Sequence, residues 1–373
     1  MRIGFDAKRA FFNKSGLGSY SRNLLLSLHQ YYPQHDYYLY TTSLKNSIPF
    51  VRDRNFAIYF PPNKPGKIRQ AFWRRYKLAN KAKMDNINIF HGLSNELPYG
   101  INRKGIKSVV TIHDLIFMRY PRWYNPFDVA IYKRKFSHGC RIADKIIAVS
   151  KQTKTDLISF FGIDEKKIEV IYQGCDEVFK NLLSEKEKQE VKKRWNLPDE
   201  YLLYVGTIEE RKNLLGLIKA LNHKNVHIPL IVVGKQTGYY NKVREYIALK
   251  GLKNVTFLNE VSVYDLPGIY QMAKVFIYPS VFEGFGIPIL EALHSKVPVI
   301  TSKGGCFSEA GGAFSQYIDP LNIEEIGDAI KRVLNDTKLQ QLMKTEGFKH
   351  ALQFTNDDIT RKVMKLYNNL LDE

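Results

Sequence analysis

The stretch Val275-Phe-Ile-Tyr-Pro-Ser280-Val-Phe-Glu283-Gly-Phe-Gly-Ile-Pro288-Ile-Leu-Glu291-Ala292 decides the fold of its half of the chain. Its opening Val-Phe-Ile-Tyr is apolar, β-favouring and too short for a helix, so it reads as a strand buried on both faces. Pro279 cannot donate to a strand ladder and closes it. Gly284-Phe285-Gly286 supplies a turn, and Pro288 sits where a first-turn proline is tolerated, so a helix starts there. Such a turn exposes backbone amides at a helix N-terminus. Glu283 falls in the loop beside those amides, and Glu291 falls one to two turns into the helix. Two glutamates at this separation arise by chance in a chain of this length, so their spacing alone carries nothing. The strand, turn and helix around them make the pair a candidate for holding two parts of one long ligand, because carboxylates accept hydrogen bonds from vicinal hydroxyls.

Outward from this segment, short apolar runs alternate with helical patterns almost throughout, the signature of βαβ units and a parallel sheet. In the second half, strands are expected near Tyr201 to Val205, Leu230 to Val233, Val255 to Leu258 and Val297 to Thr301. In the first half they are expected at Ile3 to Phe5, Tyr37 to Tyr40, Asn88 to Phe90, Ser108 to Ile112, Lys145 to Val149 and Ile168 to Ile171. Helices are expected at Tyr20 to Tyr31 and Lys151 to Phe161. The polar, charge-dense segment Ser184 to Asn196 reads as the approach to the second domain. The expectation is an α/β protein of two doubly wound Rossmann-like domains facing across a cleft, 1–180 and 181–355. In such folds ligands sit outside the carboxyl ends of the strands.

Three other strand-to-helix turns matter. Gly16-Leu-Gly18-Ser19-Tyr20 follows the first strand; it fits a phosphate-approaching loop and an ordinary tight turn equally, since Ser21 takes the third glycine position of the dinucleotide fingerprint. His113, in Thr111-Ile-His113-Asp114, reads alone as a structural histidine. Its place at a strand's carboxyl end also suits a hydrogen bond to a sugar hydroxyl or acid–base work. Arg211 and Lys212, in Gly206-Thr-Ile-Glu-Glu-Arg211-Lys212-Asn213, precede a helix. Cations there oppose the helix dipole, which has a reason if they grip a diphosphate; the alternative is a solvated pair.

Composition sets the outer limits. The 373 residues are 44% hydrophobic and 25% charged, as in globular proteins, and no window approaches the apolar length of a membrane span. The N-terminus lacks the long apolar run of a signal peptide, and Cys140, Cys175 and Cys306 have no paired spacing. A cytoplasmic protein with reduced thiols and no metal site is expected. The net charge of +19 is uneven: residues 1–180 hold 31 Lys/Arg against 14 Asp/Glu. Such a field attracts polyanions, whether nucleic acid, an anionic membrane surface or an acidic substrate. Residues 64–83 carry eight basic residues among Ile68, Phe72, Trp73 and Tyr76. They read either as a solvated helix face or as a surface that rests on anionic lipid at the inner face of the cell membrane. No nucleic-acid reading module appears.

Together, the 275–292 segment, Gly206 to Asn213 and Thr111-Ile-His113-Asp114-Leu-Ile-Phe resemble the retaining family-four glycosyltransferases of the two-Rossmann-domain (B-type) architecture, within them the bacterial O-antigen mannosyltransferase branch. The resemblance covers essentially the whole chain. It implies a hexosyltransferase that takes a nucleotide-sugar, a GDP- or UDP-sugar, as co-substrate without a further cofactor or metal, and a lipid-linked or saccharide acceptor. It implies that Glu283 contacts donor sugar hydroxyls, Glu291 the ribose, Arg211 and Lys212 the diphosphate, and His113 the reacting sugar. Gly284, Phe285 and Gly286 then belong to the donor loop, and Gly16 and Gly18 approach the phosphates or the acceptor. It further implies that the C-terminal helix, 356–373, packs back on the first domain. Thr207 stands where many members carry Arg, and Gly-Leu-Gly stands where Gly-Gly is commoner. A nucleotide-sugar epimerase or hydrolase of the same architecture is the alternative, as is a basic nucleic-acid-binding protein.

Overall fold

In a computed structural model, residues 1–13, 16–45, 47–51, 55–61 and 66–373 are described, and the chain divides into two compact units. The first comprises Met1–Gly174 with Phe354–Glu373, the second Cys175–Gln353.

The first unit is built on a parallel sheet of β1 (Arg2–Asp6), β2 (Asp36–Tyr40), β3 (Ala57–Tyr59), β4 (Ile89–Gly92), β5 (Lys107–Ile112), β6 (Lys145–Ala148) and β7 (Ile168–Val170). Their order is β3-β2-β1-β4-β5-β6-β7. The order reverses between β1 and β4, the place where a doubly wound sheet opens a ligand crevice at its carboxyl edge. The helix Asn356–Asp372, capped by Thr355, returns to this unit. Its Ile359, Val363, Met364, Leu366, Tyr367 and Leu370 share one core with Ile3, Phe5, Leu24, Leu25 and Leu28. Each such fully buried side chain contributes about 1.5–3 kcal/mol, so the helix is an integral part of the unit's core.

The second unit repeats the plan with β8 (Leu202–Val205), β9 (Leu230–Val233), β10 (Val255–Leu258), β11 (Val275–Tyr278), β12 (Val299–Ser302) and β13 (Gln316–Ile318), in the order β10-β9-β8-β11-β12-β13 and again parallel. β8, β9, β11 and β12 are buried along their whole length. Strands covered on both faces need uniformly apolar sequences such as Leu-Leu-Tyr-Val and Val-Phe-Ile-Tyr. The reversal lies between β8 and β11, so the turns after those two strands meet at one edge.

The doubly wound reading therefore holds in each unit, with local corrections. The helix expected from Tyr20 begins at Gly16 and runs to Tyr31, so Gly16 and Gly18 lie in its first turn and not in a loop ahead of it. Arg22 ties that turn to the short helix before it by donating to the carbonyls of Ala10 and Asn13. The charge-dense segment 184–196 is itself a helix, Glu185–Trp195, closed by a capping box between Ser184 and Glu187. Among the described residues no helix is long and apolar enough to cross a membrane.

Candidate active site

In the second unit the two turns at the strand reversal carry the candidate residues. After β8 the chain makes a single helical turn, Glu210–Lys212, passes through Asn213 in the left-handed conformation, and only then enters the helix Leu214–His223. Arg211 and Lys212 thus precede that helix in a turn of their own, and their charge at its N-terminal end is met by Glu209 and Glu283. After β11 the loop 279–286 ends on Gly286, whose φ of 107° is a conformation side chains disfavour, and the helix Ile287–His294 follows with Pro288 in its first turn. The loops are joined directly: Val281 N donates to Arg211 O at 2.8 Å and Arg211 Nη1 to Phe282 O at 2.6 Å. From below, the Cys306 thiol lies against the carbonyls of Glu283 and Phe285 at 3.2 and 3.1 Å. Phe285 is buried in the unit, and Gly284 lies partly exposed beside Glu283.

Glu283 is buried yet charged. Its Oε1 takes donors from Arg211 Nη1 at 2.8 Å, Lys212 Nζ at 2.8 Å and the Tyr278 hydroxyl at 2.9 Å. Burial opposes the charge, but Arg211 and then Lys212 outweigh it and hold the carboxyl at about 2. No described residue bonds its Oε2. One oxygen is therefore locked and the other remains to accept hydrogen bonds. Lys212 Nζ also donates to the Tyr278 hydroxyl at 2.6 Å, which leaves its third proton for a ligand, and Arg211 Nη2 is held by Glu209 at 2.6 Å. The two cations are formally balanced by Glu209 and Glu283. They are a preorganised pair of fixed orientation, and an incoming diphosphate would share them with the carboxylates.

Glu291 lies partly exposed on the helix Ile287–His294 and accepts from the Tyr270 hydroxyl at 2.9 Å. Burial pushes its carboxyl up to about 7, the Tyr270 bond working against that rise and Asp176 adding to it. The chain has set two glutamates one helix start apart to opposite ionisation behaviour.

In the first unit His113 follows β5 and is buried. Its Nε2 lies 2.9 Å from Leu93 O, which can only accept, so Nε2 carries the proton and Nδ1 accepts from Gln173 Nε2 at 2.9 Å. Asn95 fixes the backbone by accepting from His113 N at 2.8 Å, and the Tyr20 ring meets the imidazole edge-on at 4.7 Å. Burial pulls the imidazole down to about 4, only partly offset by the Leu93 bond. A neutral ring with both nitrogens occupied is suited to hydrogen bonding by exchange of Gln173, and not to general-acid work near neutrality. Asp114 does not orient it; its Oδ1 accepts from Ile116 N. Gly16 and Gly18 are unlike: among the described residues a Cβ on Gly16 would meet no atom within 4 Å, whereas one on Gly18 would lie 1.8 Å from Asn13 O. Gly18 is required by packing, and Gly16 is the one with open space.

Sequence reasoning did not single out Tyr278, Tyr270, Gln173, Asn95, Glu209 or Cys306. Tyr278 had a signal, as the last residue of a strand that runs into the loop. Glu209 and Cys306 belong to no motif, and their partners appear only in the fold.

Two family models match the chain, one per half: Glycosyltransferase Family 4 over residues 14–179 and Glycosyl transferases group 1 over residues 185–350. An O-antigen chain mannosyltransferase B of Escherichia coli is 30% identical over 76% of this chain and 74% of its own length. The O-antigen chain mannosyltransferase RfbU of Salmonella typhimurium is 31% identical over 75% of this chain and 80% of its own. Among solved structures, Anabaena HepE in complex with UDP and glucose superposes with a TM-score of 0.77 at 18% identity, covering 99% of this chain and 100% of that one.

Proposed function

The chain belongs to the family 4 and group 1 glycosyltransferases, and from that premise we propose that it transfers a hexose, mannose before glucose or N-acetylhexosamine, from a nucleoside-diphosphate sugar to a lipid-linked or polysaccharide acceptor. Mannose is favoured because relatives of the chain include O-antigen chain mannosyltransferases. The observation that carries the reading is Glu283, whose Oε1 is fixed by Arg211, Lys212 and Tyr278 while Oε2 stays available. A carboxylate so fixed accepts hydrogen bonds from sugar hydroxyls without reorganising.

In this reading the donor sugar lies over Glu283 and the Gly284-Phe285-Gly286 loop, the ribose hydroxyls on Glu291, and the diphosphate against Lys212 and Arg211. His113 meets the reacting sugar through Nδ1, and Gly16 leaves room at its own turn. The acceptor oxygen bonds to the anomeric carbon as the bond from that carbon to the diphosphate oxygen breaks. The acceptor's proton passes to the departing diphosphate on the same face, so configuration is retained. The developing phosphate charge falls on Lys212 and Arg211, the role a metal would otherwise fill. A carboxylate held as acidic as Glu283 is a weak nucleophile, which disfavours a covalent intermediate on it. We place the enzyme in the cytoplasm, peripheral at the inner membrane face.

The test is Glu283→Ala, assayed with GDP-mannose and UDP-glucose by mass spectrometry of products alongside nucleotide titration. Transfer should fall by about a hundred- to a thousandfold with nucleotide binding retained. Full turnover in the variant would remove Glu283 from the site. A product formed without acceptor would point to an epimerase or a hydrolase.

A further inference from the structure

At the strand reversal of the first unit, charge is arranged for a purpose the donor does not serve. Asp6 ends β1 and Glu96 follows β4. Arg74, from the crossover between β3 and β4, lies partly exposed between them, 2.5 Å from Asp6 and 3.3 Å from Glu96. Lys135 reaches Glu96 at 3.4 Å. These four side chains balance. Lys8 and Arg9 are left over: among the described residues neither side chain has an ion-pair or hydrogen-bond partner, although Lys8 is half-buried next to Asp6. Burial, then Arg74, lower the Lys8 ammonium's pKa, with Asp6 working the other way. Arg9 is near enough to act on both His113 and Glu96. The helix Gly16–Tyr31 opens at the same edge, its first turn adding partial positive charge beside the open space over Gly16.

Lys8 is a half-buried ammonium whose neighbouring carboxylate, Asp6, is already taken by Arg74. Such a cation is costly unless a ligand completes it, and the exposed Arg9 stands beside it ready to share that ligand. We propose that Lys8 and Arg9, at the carboxyl edge between β1 and β4, bind a phosphate group carried by the acceptor. This rests on the glycosyl-transfer reading, because His113 alongside places the reacting sugar there. The balanced Asp6–Arg74–Glu96–Lys135 set acts as a rigid floor under the phosphate, and the two free cations supply its counter-charge. The site selects acceptors bearing phosphate over neutral glycans.

The full chain titrated with octyl phosphate, inorganic phosphate and octyl glucoside, before and after the double change Lys8→Gln and Arg9→Gln, tests this, with a nucleoside diphosphate titrated in parallel. Both phosphates should bind the native chain and octyl glucoside should not. The double variant should bind phosphate about ten- to a hundredfold more weakly, its nucleoside-diphosphate affinity staying within about twofold. Octyl phosphate binding much more tightly than inorganic phosphate identifies a lipid-borne group; equal binding identifies a phosphorylated sugar. Absence of phosphate binding, equal binding by native and variant chains, or a parallel loss of nucleoside diphosphate would overturn the proposal, the last by assigning both cations to the donor. Failure of the native chain to bind any nucleotide would sink the transfer reading and leave the phosphate arm to judge this site alone. Arg9→Gln by itself, at an exposed position, should show about a tenfold loss and keeps the test open should the double variant lose its fold.

Discussion

Glu283 and Glu291 are the same residue type in neighbouring turns, and the fold gives them opposite acidities. Glu283, held at about 2 by Arg211 and Lys212 against the cost of burial, adds stability above the ordinary glutamate range that is lost as pH falls from there towards 2. Glu291, raised to about 7 by burial, runs the other way: the ligand-free protein is most favoured below the ordinary glutamate range and loses that stability as pH rises to about 7. If Glu291 holds a ribose diol, the ionised form does so better, since it offers both oxygens as acceptors. Nucleotide affinity should therefore climb with pH, by up to about tenfold per unit below 7, and level off above it. In Glu291→Gln the affinity should be lower and flat. Calorimetric titrations between about pH 5.5 and about 8.5 check this; a native profile as flat as the variant's would remove Glu291 from the ribose. None of this ordering was legible in the sequence. The donors to Glu283 include Arg211 and Lys212, which come from another turn of the chain, and burial by the fold sets both pKa values.

Among elements, the central strands could be read because burial on both faces forces continuous apolar runs, as in β8, β9 and β11. Of the four edge strands, β7 and β10 were still announced by Ile168 to Ile171 and Val255 to Leu258, but β3 (Ala-Ile-Tyr) and β13 (Gln-Tyr-Ile), each only partly buried, have no run to announce them. The donor loop was legible because Gly286 and Pro288 are positional signals with a backbone reason. The first glycine turn was misread as a loop for a related cause. Glycine usually punctuates, yet here Gly18 sits within a helix because the preceding chain passes against it, its position for a Cβ only 1.8 Å from Asn13 O. Gly18→Ala should therefore cost about 1–3 kcal/mol, with the Arg22 bonds to Ala10 and Asn13 disturbed. Gly16→Ala meets open space and should leave stability unchanged or raise it by up to about 1 kcal/mol through helix propensity. Thermal unfolding followed by circular dichroism separates the two; equal midpoints for both variants would contradict the packing role of Gly18.

For the whole molecule the dominant asymmetry is charge, and the first unit adds a surface to it. Lys64 lies outside the described residues, but the following helical stretch exposes Ile68, Phe72 and Tyr76 at successive turns, Ile68 to 86%. The helix Pro126–Ile142 exposes Phe127, to 81%, and Ile131 on the face that also bears His138. Tyr99 joins the two stripes, stacked on Tyr76 at 5.3 Å and on His138 at 4.0 Å. Arg69, Lys77, Lys133 and Arg134 are exposed along these same helices. Apolar side chains exposed among cations suit an anionic lipid surface, where the rings enter the headgroup region and each nearby cation adds about 1 kcal/mol. Nucleic acid would reward the cations but not the exposed Ile68 and Ile131, which neither stack on bases nor form hydrogen bonds. The full chain should float with vesicles rich in anionic phospholipid and not with neutral ones. Arg69→Gln with Lys77→Gln should lose about 2 kcal/mol of that binding, roughly thirtyfold in partitioning, and Phe72→Ser with Phe127→Ser should release the protein even at low salt. Flotation that ignores lipid charge, or survives loss of both aromatic side chains, would show that the basic half meets something other than a membrane.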